Sequence, residues 1–274
     1  MNAAQSDQAG RFRALHERAG TFVIPNVWDG ASACVMAGLK FEALATSSSA
    51  CAATLGKLDG QITRDEALAH ARVIVAACAL PVSADLEQGF GDSPEVVAET
   101  IRQAAAVGLA GGSIEDASGN PHAPIYDFAL AVERVTAAVE AARRLPFPFT
   151  LTARTENYLH GRPDLDDTVR RLQAFERAGA DVLFAPGLPD LAAVRTVCSA
   201  VRKPVNFMVG IRGRSFSVAE LAAAGVKRIS LSTSLYRAAI TGLYAAGREV
   251  KDSGTFGYLE TIMGGKDLQG FLER

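Results

Sequence analysis

Three carboxylates in the first half of the chain stand where a cation could be held. Asp85 and Glu87 lie two residues apart at the end of a short apolar run, so a strand there sends both toward one face. Glu115 ends the next apolar run. Acids gathered at adjacent strand ends repel one another unless a cation sits among them or arginines pair with them. Magnesium suits such a set, because it is a hard ion that takes oxygen ligands and keeps several waters. Arg154 ends a further run; its planar fork matches a substrate carboxylate and would serve equally as a counter-ion for Glu115. Ser47-Ser48-Ser49 offers hydroxyls and backbone amides to a second carboxylate or an oxo group. Asn206 is placed either to hydrogen-bond a ligand or to satisfy backbone groups. His122 is either an acid–base group or an exposed loop histidine.

Such a set needs a scaffold that brings distant strand ends together. Short apolar runs at residues 22–25, 41–46, 82–85, 112–115, 149–154, 181–185, 204–208 and 227–232 alternate with Ala-rich amphipathic stretches such as 64–78, 94–107, 127–144 and 165–178. Eight βα units predict a (β/α)8 TIM barrel, a fold in which catalytic groups occupy the C-terminal strand ends. Those ends are polar in nearly every unit. Gly20, Gly38, Gly108, Gly179 and Gly225 recur just before strands, where a left-handed residue is expected to close each helix. No Gly-x-Gly-x-x-Gly follows the first strand, so a dinucleotide fold lacks its fingerprint. The chain reads as one barrel domain, 1–274, with residues 251–274 as a C-terminal helical extension that caps the barrel or packs on a neighbouring subunit. Residues 116–126, rich in Gly and Pro, follow the fourth strand and form a candidate lid.

Composition narrows the class further. A formal charge of −2 argues against nucleic-acid binding, and no apolar run reaches the roughly 18 residues of a membrane span. The polar N-terminus has no hydrophobic segment of the signal-peptide kind. Cys34, Cys51, Cys78 and Cys198 are scattered and read as buried, reduced thiols of a cytoplasmic protein. The four histidines have no zinc spacing. Arg143-Arg144 and Arg170-Arg171 read as solvated helix faces, and Trp28 as a packing residue near the barrel mouth.

In order along the chain, Pro25-Asn26-Val27-Trp28-Asp29, Ser47-Ser48-Ser49 with Leu58-Asp59-Gly60, Asp85-Leu86-Glu87-Gln88-Gly89-Phe90-Gly91, Ile114-Glu115-Asp116 and Ala153-Arg154-Thr155-Glu156 resemble the isocitrate lyase and phosphoenolpyruvate mutase superfamily. The resemblance implies that Asp85 holds magnesium directly or through water, with Asp59, Glu87 and Glu115 organising the water shell. It implies that Ser47 and Ser48 cradle a substrate carboxylate, that Arg154 binds its oxygens, and that Asn206 matches a seventh-strand asparagine of some lyases. It also implies a homotetramer that exchanges C-terminal helices. This chain departs from the pattern in several places. Glu87 stands where many members have aspartate, and residues 116–126 contain no lysine and no cysteine. The Lys-Lys/Arg-Cys-Gly-His lid motif of the lyases is therefore missing, as is the lid lysine of a mutase. Asn120 is left as a stand-in for the mutase asparagine, and Pro186 occupies the place of a mutase histidine.

The expected function is a magnesium-dependent carbon–carbon lyase or decarboxylase acting on a small 2-oxo or 2-hydroxy dicarboxylic acid through an enolate. Glu156 and His122 are the candidate bases for retro-aldol cleavage. Two alternatives stand beside this reading: phosphonomutase-type phosphorus–carbon chemistry, and non-catalytic binding of 2-oxo acids.

Overall fold

The computed structural model describes residues 3–273. Strands β1 (Phe22–Ile24), β2 (Leu44–Ala45), β3 (Val82–Asp85), β4 (Gly111–Glu115), β5 (Thr150–Arg154), β6 (Val182–Phe184), β7 (Val205–Met208) and β8 (Arg228–Ser230) form one parallel eight-stranded sheet. β1 pairs with β8, and a parallel bridge between Asn26 and Ala45 joins the first strand to the second. The sheet thus rolls into a nearly closed barrel, and the (β/α)8 expectation holds. The helices are α1 (Ala3–Glu17), α2 (Gly30–Gly38), α3 (Ser48–Thr54), α4 (Arg64–Ala77), α5 (Pro94–Ala106), α6 (Phe128–Arg143), α7 (Leu165–Ala178), α8 (Leu191–Ala200), α9 (Val218–Ala223), α10 (Ser234–Ser253) and α11 (Gly265–Leu272).

Local chemistry explains the boundaries. Thr63 caps α4 in a reciprocal box with Glu66, and Ser93 caps α5 ahead of Pro94 in its first turn. α7 begins at the Asp164 cap with Asp166 and Asp167 in its first turn, and ends on left-handed Gly179 with Arg177 in its last. Gly20, Gly108 and Gly225 are left-handed as expected. Gly38 is the exception: it is the last residue of α2, and Lys40 takes the positive φ (66°) instead. The second strand is the two residues Leu44–Ala45 rather than the expected 41–46, and Glu42 ahead of it pairs with Arg18.

The core fills the barrel and the layer beneath its helices, with Ile24, Leu44, Ile114, Leu151 and Phe149 nearly inaccessible. α1 contributes to the same core. Its Phe12 is fully buried, and the edge of His16 meets Phe22 at 5.0 Å between ring centres. His16 Nδ1 lies 2.9 Å from the Phe12 carbonyl, so Nδ1 carries the proton, and Nε2 faces the Arg228 guanidinium at 3.4 Å. Burial and then Arg228 push the imidazole down to about 3. A base held neutral in the fold contributes stability above its unfolded value of 6.5, and that contribution is lost as pH falls from 6.5 toward 3. By pH 4 the loss should be on the order of 3 kcal/mol. Denaturant titrations of wild type and His16→Gln at pH 7 and pH 4 will check this: the two curves should converge in acid, and parallel curves would refute the assignment.

Three sequence expectations change. Arg171 is buried, so only Arg170 of that pair is a solvated face. Cys51 alone is fully buried, although all four thiols are free. The helix after β8, α10, runs to Ser253, past the expected start of the extension at 251, and α11 then packs against α2. α10 itself buries none of its residues and leaves Leu243 and Tyr244 more than 60% exposed, at 68% and 63%. No helix among the described residues is long and apolar enough to cross a membrane.

Candidate active site

The C-terminal strand ends surround a cavity of about 460 Å³. Register explains which side chains meet there. Asp85 pairs with Ser113, Glu115 with Arg154 and Arg154 with Phe184, so three adjacent strands deliver their last residues to one rim. Arg154 is the hub. Its Nη1 lies 3.3 Å from Glu115 and 3.6 Å from Asp85, while its Nε donates to Glu156. Burial opposes its charge, but Glu156, Glu115 and Asp85 together hold it firmly protonated. Arg154 thus pairs with Glu115, as one of its two sequence readings has it, and its side chain also lines the cavity.

Asp85 is pinned from the serine run. The Ser48 amide and hydroxyl donate to its Oδ2 at 3.2 and 2.8 Å, and its own amide donates to Thr46 at 3.0 Å. Ser47 caps α3 by accepting from the Ala50 amide. Both serines line the cavity.

The loop after β3 is conformationally costly. Glu87 and Phe90 adopt positive φ, 49° and 61°, a region that non-glycine residues rarely enter. Gly89 and Gly91 close the loop onto α5, where a Cβ would come 3.0 and 2.6 Å from Val97 and Val96. Buried Arg134 holds the loop from outside: it donates to the carbonyls of Gln88, Gly91 and Asp92 and lies 4.2 Å from the centre of the Tyr126 ring. This placement delivers the Glu87 carboxylate to the cavity wall.

The electrostatics call for a cation. Asp59, Asp85, Glu87, Glu115 and Glu156 line the cavity, against the guanidiniums of Arg154 and Arg228. Burial, and then Asp85 and Asp59, push the Glu87 carboxyl up to about 7. Burial raises Glu115 well above the carboxylate range even though Arg154 pulls the other way, and burial with Asp85 raises Asp59. Asp85 Oδ1 and Glu87 Oε1 are buried without a hydrogen-bond partner. Orphaned hard oxygens in an acid-rich pocket fit a magnesium ion. Among the described residues no three acids, histidines or cysteines are grouped closely enough to hold an ion directly.

The other expected residues sort as follows. Asn206 sits deep in the cavity, where its Oδ1 accepts from Arg228 Nε at 2.8 Å and its Nδ2 donates to Ser230 at 3.0 Å. His122 lies at the tip of the 116–126 loop, exposed and outside the cavity lining. That loop is a short hairpin, closed by a bridge between Ala117 and Ile125. Asp116 anchors its base by accepting from Thr155 and the Glu156 amide, with Arg171 at 3.2 Å. Trp28 packs edge-on against Tyr236 of α10, as a packing residue should.

Arg228 escaped the reading of the sequence. A parity signal was available, because in Arg228-Ile229-Ser230 the arginine shares the inward face of Ser230. Its guanidinium also donates to Thr152 at 3.0 Å, and burial lowers it to about 9. Glu156 and His160 are the other pair whose proximity only the fold reveals, with His160 Nε2 3.9 Å from Glu156 Oε2.

Comparison with known proteins agrees with this geometry. The phosphoenolpyruvate phosphomutase family model matches residues 12–251. The chain is 33% identical over 196 residues to 2-methylisocitrate lyase of Escherichia coli K12, covering 68% of this chain and 65% of that one. It is 28% identical over 256 residues to oxaloacetate decarboxylase of Ectopseudomonas mendocina, covering 91% and 86%. A crystal structure from Burkholderia cenocepacia J2315, provisionally described as a lyase/mutase, superposes with a TM-score of 0.97 at 52% identity, covering 100% of this chain and 98% of that one. With the acid-lined mouth of a (β/α)8 barrel and these matches along nearly its whole length, the chain belongs to the phosphoenolpyruvate phosphomutase family, within the isocitrate lyase/phosphoenolpyruvate mutase superfamily.

Proposed function

We propose that the protein is a magnesium-dependent carbon–carbon lyase or decarboxylase acting on a small 2-oxo or 2-hydroxy dicarboxylic acid. The observation that carries this reading is Asp85 and Glu115 beside Arg154 with Glu87 on the same cavity wall, and a buried oxygen without a hydrogen bond on both Asp85 and Glu87. Asp85 would hold the ion, and Asp59, Glu87 and Glu115 would order its waters. Bound magnesium supplies a Lewis acid for the 2-oxo oxygen. Arg154 takes a substrate carboxylate, Ser47 and Ser48 position it from the opposite strand end, and the Asn206 amide donates from below. Glu115 keeps Arg154 in place and balances its charge. The relatives named as a lyase and a decarboxylase support this class of reaction.

Incubation with magnesium and oxaloacetate, 2-methylisocitrate or dimethylmalate should release pyruvate or another 2-oxo acid. If all three survive, the reading fails. Tight magnesium-dependent binding of oxalate or 2-oxoglutarate without turnover of any diacid would point to a binding protein instead. The family's name favours one further reading, mutase chemistry on a phosphonopyruvate-like substrate. Among the described residues no lysine lines the cavity to meet a phosphoryl group, so phosphorus NMR of a phosphonopyruvate incubation should show no rearrangement.

The assembly we propose is a homotetramer in a reducing, cytoplasmic setting, with α10 docked on a neighbouring copy and α11 exchanging its seat on α2 between copies. A helix that buries no residue while exposing Ile240, Leu243, Tyr244 and Val250 is unstable in isolation and needs a partner surface. Light scattering should give a mass four times the 28.8 kDa of the chain. A monomer at micromolar concentration would overturn this.

A further inference from the structure

Cleavage of a bond to C3 leaves an enolate carbon that must receive a proton before the product departs. The donor has to lie in the cavity wall. Among the described residues no cysteine, lysine or tyrosine lines that wall, and His160 supplies its one imidazole. The cavity's carboxyls have other work in this reading: Asp59, Asp85, Glu87 and Glu115 are the groups proposed to hold the ion and its waters, and Glu156 is bonded to Arg154.

We propose that His160, oriented by Glu156, is the acid that delivers this proton. The inference rests on the lyase reading above. The chain after β5 builds the pair locally. The Glu156 amide donates to Asp116 at 2.8 Å, and the His160 amide donates to the Glu156 carbonyl at 3.1 Å, closing a single turn. Leu159 packs beside Gly187 and braces that turn. The Glu156 carboxylate is 2% exposed and has one oxygen on Arg154, while the other faces His160 Nε2 at 3.9 Å. One buried carboxylate therefore sets both the arginine that holds the substrate and the imidazole beside it. His160 is about one-third exposed, so its ring can exchange protons with solvent between turnovers.

In decarboxylation the C3–C4 bond breaks, its electron pair becomes the C2–C3 enolate bond, and carbon dioxide leaves. With Nε2 turned to Glu156, the proton on Nδ1 passes to C3, the imidazole is left neutral, and water restores its proton. In the reverse sense neutral His160 removes a C3 proton from a bound 2-oxo acid, and that step can be followed without any cleavage.

The experiment is exchange of the pyruvate methyl protons in D2O with magnesium, followed by proton NMR, alongside calorimetry of magnesium-dependent oxalate binding. His160→Gln should slow exchange by roughly 100-fold or more while oxalate binding stays within about twofold, and added imidazole should restore exchange to His160→Ala. Exchange at the wild-type rate in His160→Gln overturns the assignment. So does a loss of oxalate binding that parallels the loss of exchange, since it would place His160 in binding. Wild type that exchanges pyruvate but cleaves no diacid, with exchange lost in His160→Gln, sinks the lyase reading and leaves the acid–base assignment standing. Wild type that does neither removes both.

Discussion

Asp85→Asn should abolish magnesium-dependent turnover, by at least roughly 10²–10³-fold, the scale seen when one preorganised electrostatic partner is removed from an active site. Asparagine keeps the size of the side chain and an oxygen for the Ser48 amide and hydroxyl, so the strand end and the serine loop stay in place. What disappears is the charge on Oδ1, the atom that is buried without a hydrogen bond. The variant should therefore separate charge from shape more cleanly than alanine. Thermal denaturation provides a second readout. Magnesium should raise the midpoint of the wild type by mass action on the folded state and leave the variant where it is. Without metal the variant should differ little in stability, because the repulsion it relieves at Glu87 and Asp59 offsets its lost pairing with Arg154. A variant that still responds to magnesium would mean that the ion sits elsewhere.

Arg154→Met should be the most damaging single change to the site, both for folding and for chemistry. The guanidinium faces Glu115, Asp85 and Glu156, and the Glu156 carboxylate is almost wholly buried. Removing one partner from a buried charge cluster typically costs about 3–5 kcal/mol, because the remaining charges are left uncompensated. Loss of the substrate anchor should separately reduce turnover below detection. The sign of the pH effect distinguishes this cause from lost packing. With Arg154 gone, the freed carboxylates take protons more readily in the fold than when unfolded, so the variant should recover stability as pH falls from 8 toward 5. Magnesium should restore part of the same loss at pH 8. A midpoint deficit independent of both pH and magnesium would show that methionine simply packs badly.

Much of the site's composition was open to view in the chain. Alternation of period two and helices between strands are local properties, so the last residues of β3, β4 and β5 could be assigned to one barrel mouth before any coordinates. Asp85, Glu115 and Arg154 do meet there, across sequence gaps of 30 and 39 residues, because parallel register aligns the strand ends. The caps at Thr63, Ser93 and Asp164 start helices at 64, 94 and 165, where the amphipathic stretches begin, for the same local reason.

What the tertiary structure decided is how the charges are shared. No spacing rule says that Arg154 divides itself among three acids, or that Arg171 leaves its helix face to anchor Asp116, 55 residues away. Nor does one place Arg228 beside His16, at a separation of 212 residues. His122 and His160 look alike as loop histidines. The closure of the 116–126 hairpin turns the first outward, while a single turn after β5 sets the second against Glu156. α10 has an apolar pattern that would suit a barrel flank, yet it buries none of its residues. Secondary structure follows from neighbours along the chain, whereas the pairing of buried charges follows from which loops close over which strand ends. That is settled only when residues far apart in sequence compete for the same desolvated space.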